Sequence, residues 1–162
     1  GDMTTVNLDS KFDVIFLAIC TLCLLHTKEQ KQNFFANVKR HLTPDGVFLF
    51  DHQIYDLEKA AKHDESIEFI PINTGYPKHY MLMGEKVFMD EQRVIVNLYN
   101  EIIEENGSST KYLGKTNKKM IDVEEIENLI RENGMEIVTT DTVPVETGFL
   151  KAIKHYYCRL AQ

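Results

Sequence analysis

Phe12-Asp13-Val14-Ile15-Phe16-Leu17-Ala18-Ile19 contains a single polar side chain, Asp13. A strand this apolar on both faces suits the middle of a parallel sheet, covered on either side. Downstream, Thr27-Lys28-Glu29-Gln30 has capping-box spacing, with Thr27 as N-cap and Gln30 reaching back to its backbone. The helix it starts places Phe34, Phe35, Val38 and Leu42 on one stripe and turns Lys28, Lys31, Gln32 and Lys39 to water. Thr43-Pro44-Asp45-Gly46 ends that helix, because proline cannot continue it and Asp-Gly suits a turn. Val47-Phe48-Leu49-Phe50 is then a second buried strand, ending at Asp51. Strand, helix and strand joined by short turns form a βαβ unit, which crosses over right-handed and keeps its strands parallel.

Working outward, Asp56 to Asp64 reads as a short polar helix with Leu57, Ala60 and Ala61 turned inward. The period then changes. Tyr80 to Met89, Arg93 to Glu104 and Thr110 to Met120 alternate apolar and polar residues, with turns at Met89-Asp90-Glu91-Gln92 and Glu105-Asn106-Gly107-Ser108. This pattern predicts an antiparallel meander inserted into the parallel sheet, with one face wet. Asp122-Val123-Glu124-Glu125 is a second capping box, opening a helix with Val123, Ile126, Leu129 and Ile130 on its apolar stripe. Asn133-Gly134 closes it, Met135 to Thr140 is a strand, and Tyr156 to Leu160 is the last one.

With 43% apolar and 27% charged residues in 162, the chain has the composition of a soluble globular protein and the length of one domain. Its net charge of −7, with no Lys/Arg stripe and only a short local cluster at Lys115, Lys118 and Lys119, argues against a nucleic-acid partner. The apolar stretch from Val14 to Leu25 is broken by Thr21 and is too short to span a bilayer, so no membrane partner is expected. With no targeting segment read at its start, the expected location is cytoplasmic. Cys20 and Cys23 have C-x-x-C spacing, but no second pair or nearby histidine completes a zinc site, and no metal is expected. Small buried hydrophobes or a redox pair are the two ways to read them.

Gly1-Asp2-Met3, Phe12-Asp13-Val14-Ile15, Leu42-Thr43-Pro44-Asp45-Gly46 and Val47-Phe48-Leu49-Phe50-Asp51 follow one another in an informative order. Together with Asp122 to Ile130 and Asn133-Gly134-Met135, they resemble the class I S-adenosylmethionine-dependent methyltransferases. The resemblance implies an α/β protein with a partial Rossmann-like methyltransferase fold, a mixed sheet and an inserted antiparallel β meander. Residues 1–162 would form a single domain, the C-terminal part of a methyltransferase domain, with the insert at about 66–120. The family's first strand, its glycine-rich loop and the acidic residue for the ribose hydroxyls have no counterpart here. The chain is therefore expected to be part of a longer protein or a truncated relative.

The resemblance also implies a cofactor site for S-adenosylmethionine. Asp2 would accept a hydrogen bond from the adenine amine and the Met3 N–H would meet a ring nitrogen. Ala18, Ile19 and Cys20 would touch the cofactor at the carboxyl end of their strand, with Leu24 closing over the adenine. The alternatives are a frayed terminus at Asp2 and ordinary core at the other four. His52, beyond the next strand end, is the candidate base facing a small-molecule acceptor, and Tyr55, Tyr76 and Tyr80 are candidate acceptor contacts. A structural histidine and core aromatics are the competing assignments. Without its missing neighbour, strand 12–19 would lie at a sheet edge with both faces bare, which invites homo-oligomer formation. The chain is thus either an enzyme segment or a cofactor-free interaction module.

Overall fold

The computed structural model describes residues 1–63, 65–73 and 75–161. Among the described residues, eight strands form two four-stranded sheets. The first holds β1 (Phe12–Leu17), β2 (Leu42–Tyr55), β7 (Met135–Thr147) and β8 (Leu150–Leu160) in the order β1-β2-β8-β7. The second holds β3 (Glu65–Asn73), β4 (Lys78–Phe88), β5 (Arg93–Ile103) and β6 (Ser109–Lys119) in sequence order. The described residues also form helices α1 (Lys28–His41), α2 (Leu57–Lys62) and α3 (Val123–Glu132), with short 3-10 helices at Thr21–Leu24 and Met89–Glu91. Two compact units result: Gly1–Asp56 with the chain from Lys119 onward, and Leu57–Lys118.

In the first unit β1 and β2 run parallel, pairing Val14 with Val47 and Leu17 with Phe50. Between them α1 starts as its sequence requires: Thr27 accepts from the Gln30 N–H at 3.1 Å, and the Gln30 side chain accepts from the Thr27 N–H at 3.0 Å. Phe34, Phe35 and Val38 of α1 and Ile126, Leu129 and Ile130 of α3 pack on Phe48, Phe50, Tyr156 and Cys158 of the sheet. Phe35 meets Phe48 and Phe50 edge-on, each with ring centroids 6.1 Å apart, while Phe50 stacks on Tyr156 at 4.7 Å.

Several expectations change. β1 ends at Leu17, so Ala18 and Ile19 lie beyond the strand. It is an edge strand, and Ile15 and Leu17 pack against the core, whereas Val14 is 56% and Phe16 70% exposed. The expected turn at Thr43–Gly46 falls within β2. Phe12 pairs with Leu42 but Val14 with Val47, so these residues form a bulge that takes up the slack. Past Asp51, β2 continues to Tyr55 because β8 pairs with it along that stretch, and β7 and β8 are likewise longer than their apolar runs suggest.

Lys31, expected in water, is buried and bonds to Glu125. That bond takes the side chain that would have completed the second capping box. Only its first half forms, with the Glu125 N–H donating to Asp122 at 2.6 Å. Burying an ammonium without a partner is costly, and the salt bridge therefore outweighs the cap. At the far end of α3, Gly134 takes φ +69° and turns the chain into β7.

In the second unit, α2 stops at Lys62, and the expected end at Asp64 lies outside the described residues. Of the three residues expected inward, only Ala60 is buried, while Leu57 and Ala61 are exposed. The meander forms a sheet of its own, with β3 as a fourth strand. Pro71 hides β3 in the sequence, yet proline is tolerated on an edge strand, and β3 is an edge.

Candidate functional site

The carboxyl end of β1 carries unusual backbone. Ile19 (φ 60°) and Cys20 (φ 51°) are consecutive left-handed residues, and neither is glycine. Each costs on the order of 1–2 kcal/mol. Because Leu17 pairs with Phe50, Asp51 stands one step past the end of β1, beside these two residues. Its Oδ2 accepts from the Ile19 N–H at 3.1 Å and its Oδ1 from the Cys20 N–H at 2.7 Å. Hydrogen bonds to a charged acceptor contribute roughly 1.5–3 kcal/mol each, enough to offset the strain. The Thr21 hydroxyl donates to the Ala18 carbonyl at 2.6 Å, and the Cys23 N–H donates to the Cys20 carbonyl at 3.2 Å. Ala18 to Leu24 is thus one hydrogen-bonded corner. It buries Cys20 but presents Ile19, 87% exposed, and Leu24 to solvent. Beside it lies a shallow groove of about 190 Å³ whose lining includes Ala18, Phe50 and Asp51.

Asp2 and Met3 sit in a turn closed by the Val6 N–H donating to the Asp2 carbonyl at 2.8 Å. The segment is not frayed. Helix α1 ties it down, with Asn37 donating to the Met3 carbonyl at 2.9 Å and His41 accepting from the Leu8 N–H at 2.9 Å. Asp2 Oδ1 accepts from the Thr4 N–H and hydroxyl, which hold the exposed carboxyl below its usual pKa. Met3 shares an apolar groove of about 220 Å³ with Phe16 and Leu17, the residues leading into the Ala18 corner.

His52 is fully buried rather than open to an acceptor. Its Nε2–H donates to the Ile121 carbonyl at 2.8 Å, while Nδ1 has no partner. Burial pushes its pKa down, against the Ile121 hydrogen bond and the charges of Asp122, Asp51 and Glu125. Tyr55, half-buried in the first unit, donates to Gln53 at 2.7 Å and stacks on Phe149. In the second unit Tyr80 stacks on Phe69, and the exposed Tyr76 has the Lys78 ammonium 5.2 Å from its ring centre. Cys20, Cys23 and Cys158 are buried and in no disulfide, and burial pushes the Cys158 thiol up to about 12. Among the described residues, no cluster of three or more His, Cys, Asp or Glu side chains could hold a metal, and no helix is long and apolar enough to cross a membrane.

Asp51, Thr21 and the left-handed turn were not apparent as site elements from sequence alone. The aspartate at the end of an apolar strand was the available signal, but nothing in the one-dimensional pattern ties it to Ile19.

No protein-family profile matches the chain, and no curated protein matches it. Solved structures do. A S-adenosylmethionine-dependent methyltransferase from Clostridium acetobutylicum superposes with a TM-score of 0.78 at 16% identity, over 100% of this chain and 63% of its own. The CcbJ methyltransferase from Streptomyces caelestis gives 0.68 at 17% identity, over 100% of this chain and 62% of its own. CalS10, an amino pentose methyltransferase from Micromonospora echinaspora, gives 0.66 at 16% identity, over 97% of this chain and 62% of its own. The chain therefore has the Rossmann-like fold of class I S-adenosylmethionine-dependent methyltransferases, and it spans less than two thirds of the length of these neighbours.

Proposed function

We propose that residues 1–162 are the C-terminal part of a S-adenosylmethionine-dependent methyltransferase domain that acts on a small-molecule acceptor. The observation that carries this reading is the Ala18–Leu24 corner, held by Asp51 at the carboxyl end of a parallel strand, where ligands dock in open α/β sheets. Names of the structural neighbours support the reaction type, and one acts on an amino pentose, which makes amino sugars the first acceptors to try.

The residues present fit the adenine end of the cofactor. Asp2 Oδ2 is an open acceptor beside the Met3 N–H, a donor, and the amine and ring nitrogen of adenine require that pair in that order. Asn37 and Thr4 fix their positions. Ile19 and Leu24 offer apolar surface that would exclude water from the ring once covered. When bound, the cofactor supplies a methyl group already activated on a sulfonium, so alignment and exclusion of water are the protein's main tasks. Within the first unit Tyr55 is the proposed acceptor contact; Tyr76 and Tyr80 belong to the second unit and are not assigned to that site. No proton transfer is assigned to His52, whose Nε2–H is committed to the Ile121 carbonyl.

Calorimetric titration of S-adenosylhomocysteine into the full polypeptide carrying this chain should show saturable binding. Asp2→Ala should weaken it about tenfold, the scale of one charge-assisted hydrogen bond. Absence of binding to the wild type would count against the methyltransferase reading, and unchanged affinity in the variant would remove Asp2 from the site.

A second reading, a cofactor-free module that joins copies of itself, is favoured by one observation: β1 is an edge strand with Val14 and Phe16 exposed. An in-frame glycine-rich strand–loop–helix ahead of Gly1 would favour the enzyme, and a start at Met3 the module.

A further inference from the structure

We infer that Asp51 is a positioning residue for the cofactor corner, setting the shape of the Ala18–Leu24 loop to which the adenine binds. The inference rests on the methyltransferase reading and deepens it by naming what preorganises the site.

Two features make Asp51 more than a local hydrogen-bond acceptor. First, it uses one oxygen for each of two successive N–H groups, Ile19 at 3.1 Å and Cys20 at 2.7 Å, so only a carboxylate serves both. An asparagine would turn its NH₂ toward one of these donors and lose that bond. Second, the two residues it holds adopt a backbone that L-residues avoid, at φ 60° and 51°. Such conformations persist only where surrounding contacts over-determine them. Released from Asp51, the 19–20 turn would relax toward ordinary φ values, and the Ile19 side chain would leave the place it now occupies at the rim.

The other acidic residue near this strand does not share the task, since Asp13 accepts from the Thr43 hydroxyl at 2.9 Å at the opposite end of β1. Asp51 touches backbone only at the corner and is not placed against the ligand. Its effect would be exerted through Ile19 and Cys20. A ligand that binds a preformed loop avoids the cost of ordering it, and that saving is what Asp51 would contribute to affinity.

The test uses the full polypeptide, isotope-labelled, at a temperature where every variant is fully folded. Two quantities are read: the amide proton shifts of Ile19 and Cys20, and the dissociation constant for S-adenosylhomocysteine. In the wild type both amides are expected downfield, as donors to a carboxylate. Asp51→Asn should move at least one upfield and weaken binding about tenfold. A purely structural role would lower the unfolding midpoint and leave the affinity of the folded protein unchanged, and that result would overturn the inference. Unmoved amide shifts in Asp51→Asn would overturn it too. If that variant does not fold, Thr21→Val is used; it removes the Thr21–Ala18 bond from the other side of the corner and should weaken binding about threefold. Unchanged affinity in Thr21→Val would then overturn the inference. Wild-type protein that takes up no S-adenosylhomocysteine removes the methyltransferase reading itself and the inference with it. Binding that is present but indifferent to these variants removes the inference alone.

Discussion

Val14→Lys combined with Phe16→Lys is expected to turn a self-associating chain into a monomer. β1 is an edge strand of its sheet, so one side of its backbone ladder has no strand partner among the described residues. Along this edge strand, Phe12, Val14 and Phe16 are 39%, 56% and 70% exposed. Fully burying such a side chain contributes about 1.5–3 kcal/mol, so three half-exposed ones on each of two copies supply roughly 5–8 kcal/mol before any backbone pairing. That is comparable with the lower estimates of the cost of association, so side-chain burial alone about balances it and pairing of the two backbone edges must supply the net attraction. Lysines on an edge strand must be desolvated for a second copy to dock, which is how natural edges are kept unpaired. Sedimentation velocity on the chain alone should therefore show concentration-dependent association in the wild type and a single monomeric species in the double variant. A wild-type monomer at all concentrations would contradict the account of this edge.

Phe35→Ala should cost about 3–5 kcal/mol of stability, the largest effect expected of a single substitution in the first unit. Phe35 is fully buried and sits edge-on to Phe34, Phe48 and Phe50, with ring centroids 5.4, 6.1 and 6.1 Å away. Truncation leaves a cavity between α1 and β2 that neighbouring rings cannot fill without leaving their rotamers. Because α1 also carries Asn37 and His41, which hold the Met3 segment, loosening it should disturb that segment as well. Total stabilities of single domains are only about 5–15 kcal/mol, so the variant loses between about a fifth and all of the margin. Urea denaturation followed by circular dichroism measures it. A shift below about 1 kcal/mol would mean that α1 is not docked through Phe35.

Much of this fold was legible in local pattern. The Thr27–Gln30 capping box, the α1 stripe and the parallel β1–β2 pair follow from residue type and spacing alone. Asn133-Gly134 marked a helix end because left-handed backbone favours those residues. What could not be read depends on partners distant in sequence. Lys31 looks like any solvated helix lysine until Glu125, far along the chain, comes to meet it. The length of β2 is set by β8, and β3 was masked by a proline that an edge strand accommodates. At the site, Ala18, Ile19, Cys20 and Leu24 were expected together and do form one corner, whereas His52 was expected to face an acceptor and lies in the core. One-residue alternation explains His52: it shares its face of β2 with Phe48 and Phe50, both beneath the helices. Asp51 points the other way, and only the three-dimensional register brings its carboxylate to Ile19 and Cys20.

In the proposed function, the Met3 turn and the corner after β1 would form the adenine wall of a cofactor site. Titrating S-adenosylhomocysteine into the labelled protein while following every assigned backbone amide tests it most directly. The account requires the largest shift changes at Met3 and across residues 18–24, with small ones elsewhere. Changes concentrated in Leu57–Lys118, or none at saturating ligand, would contradict it.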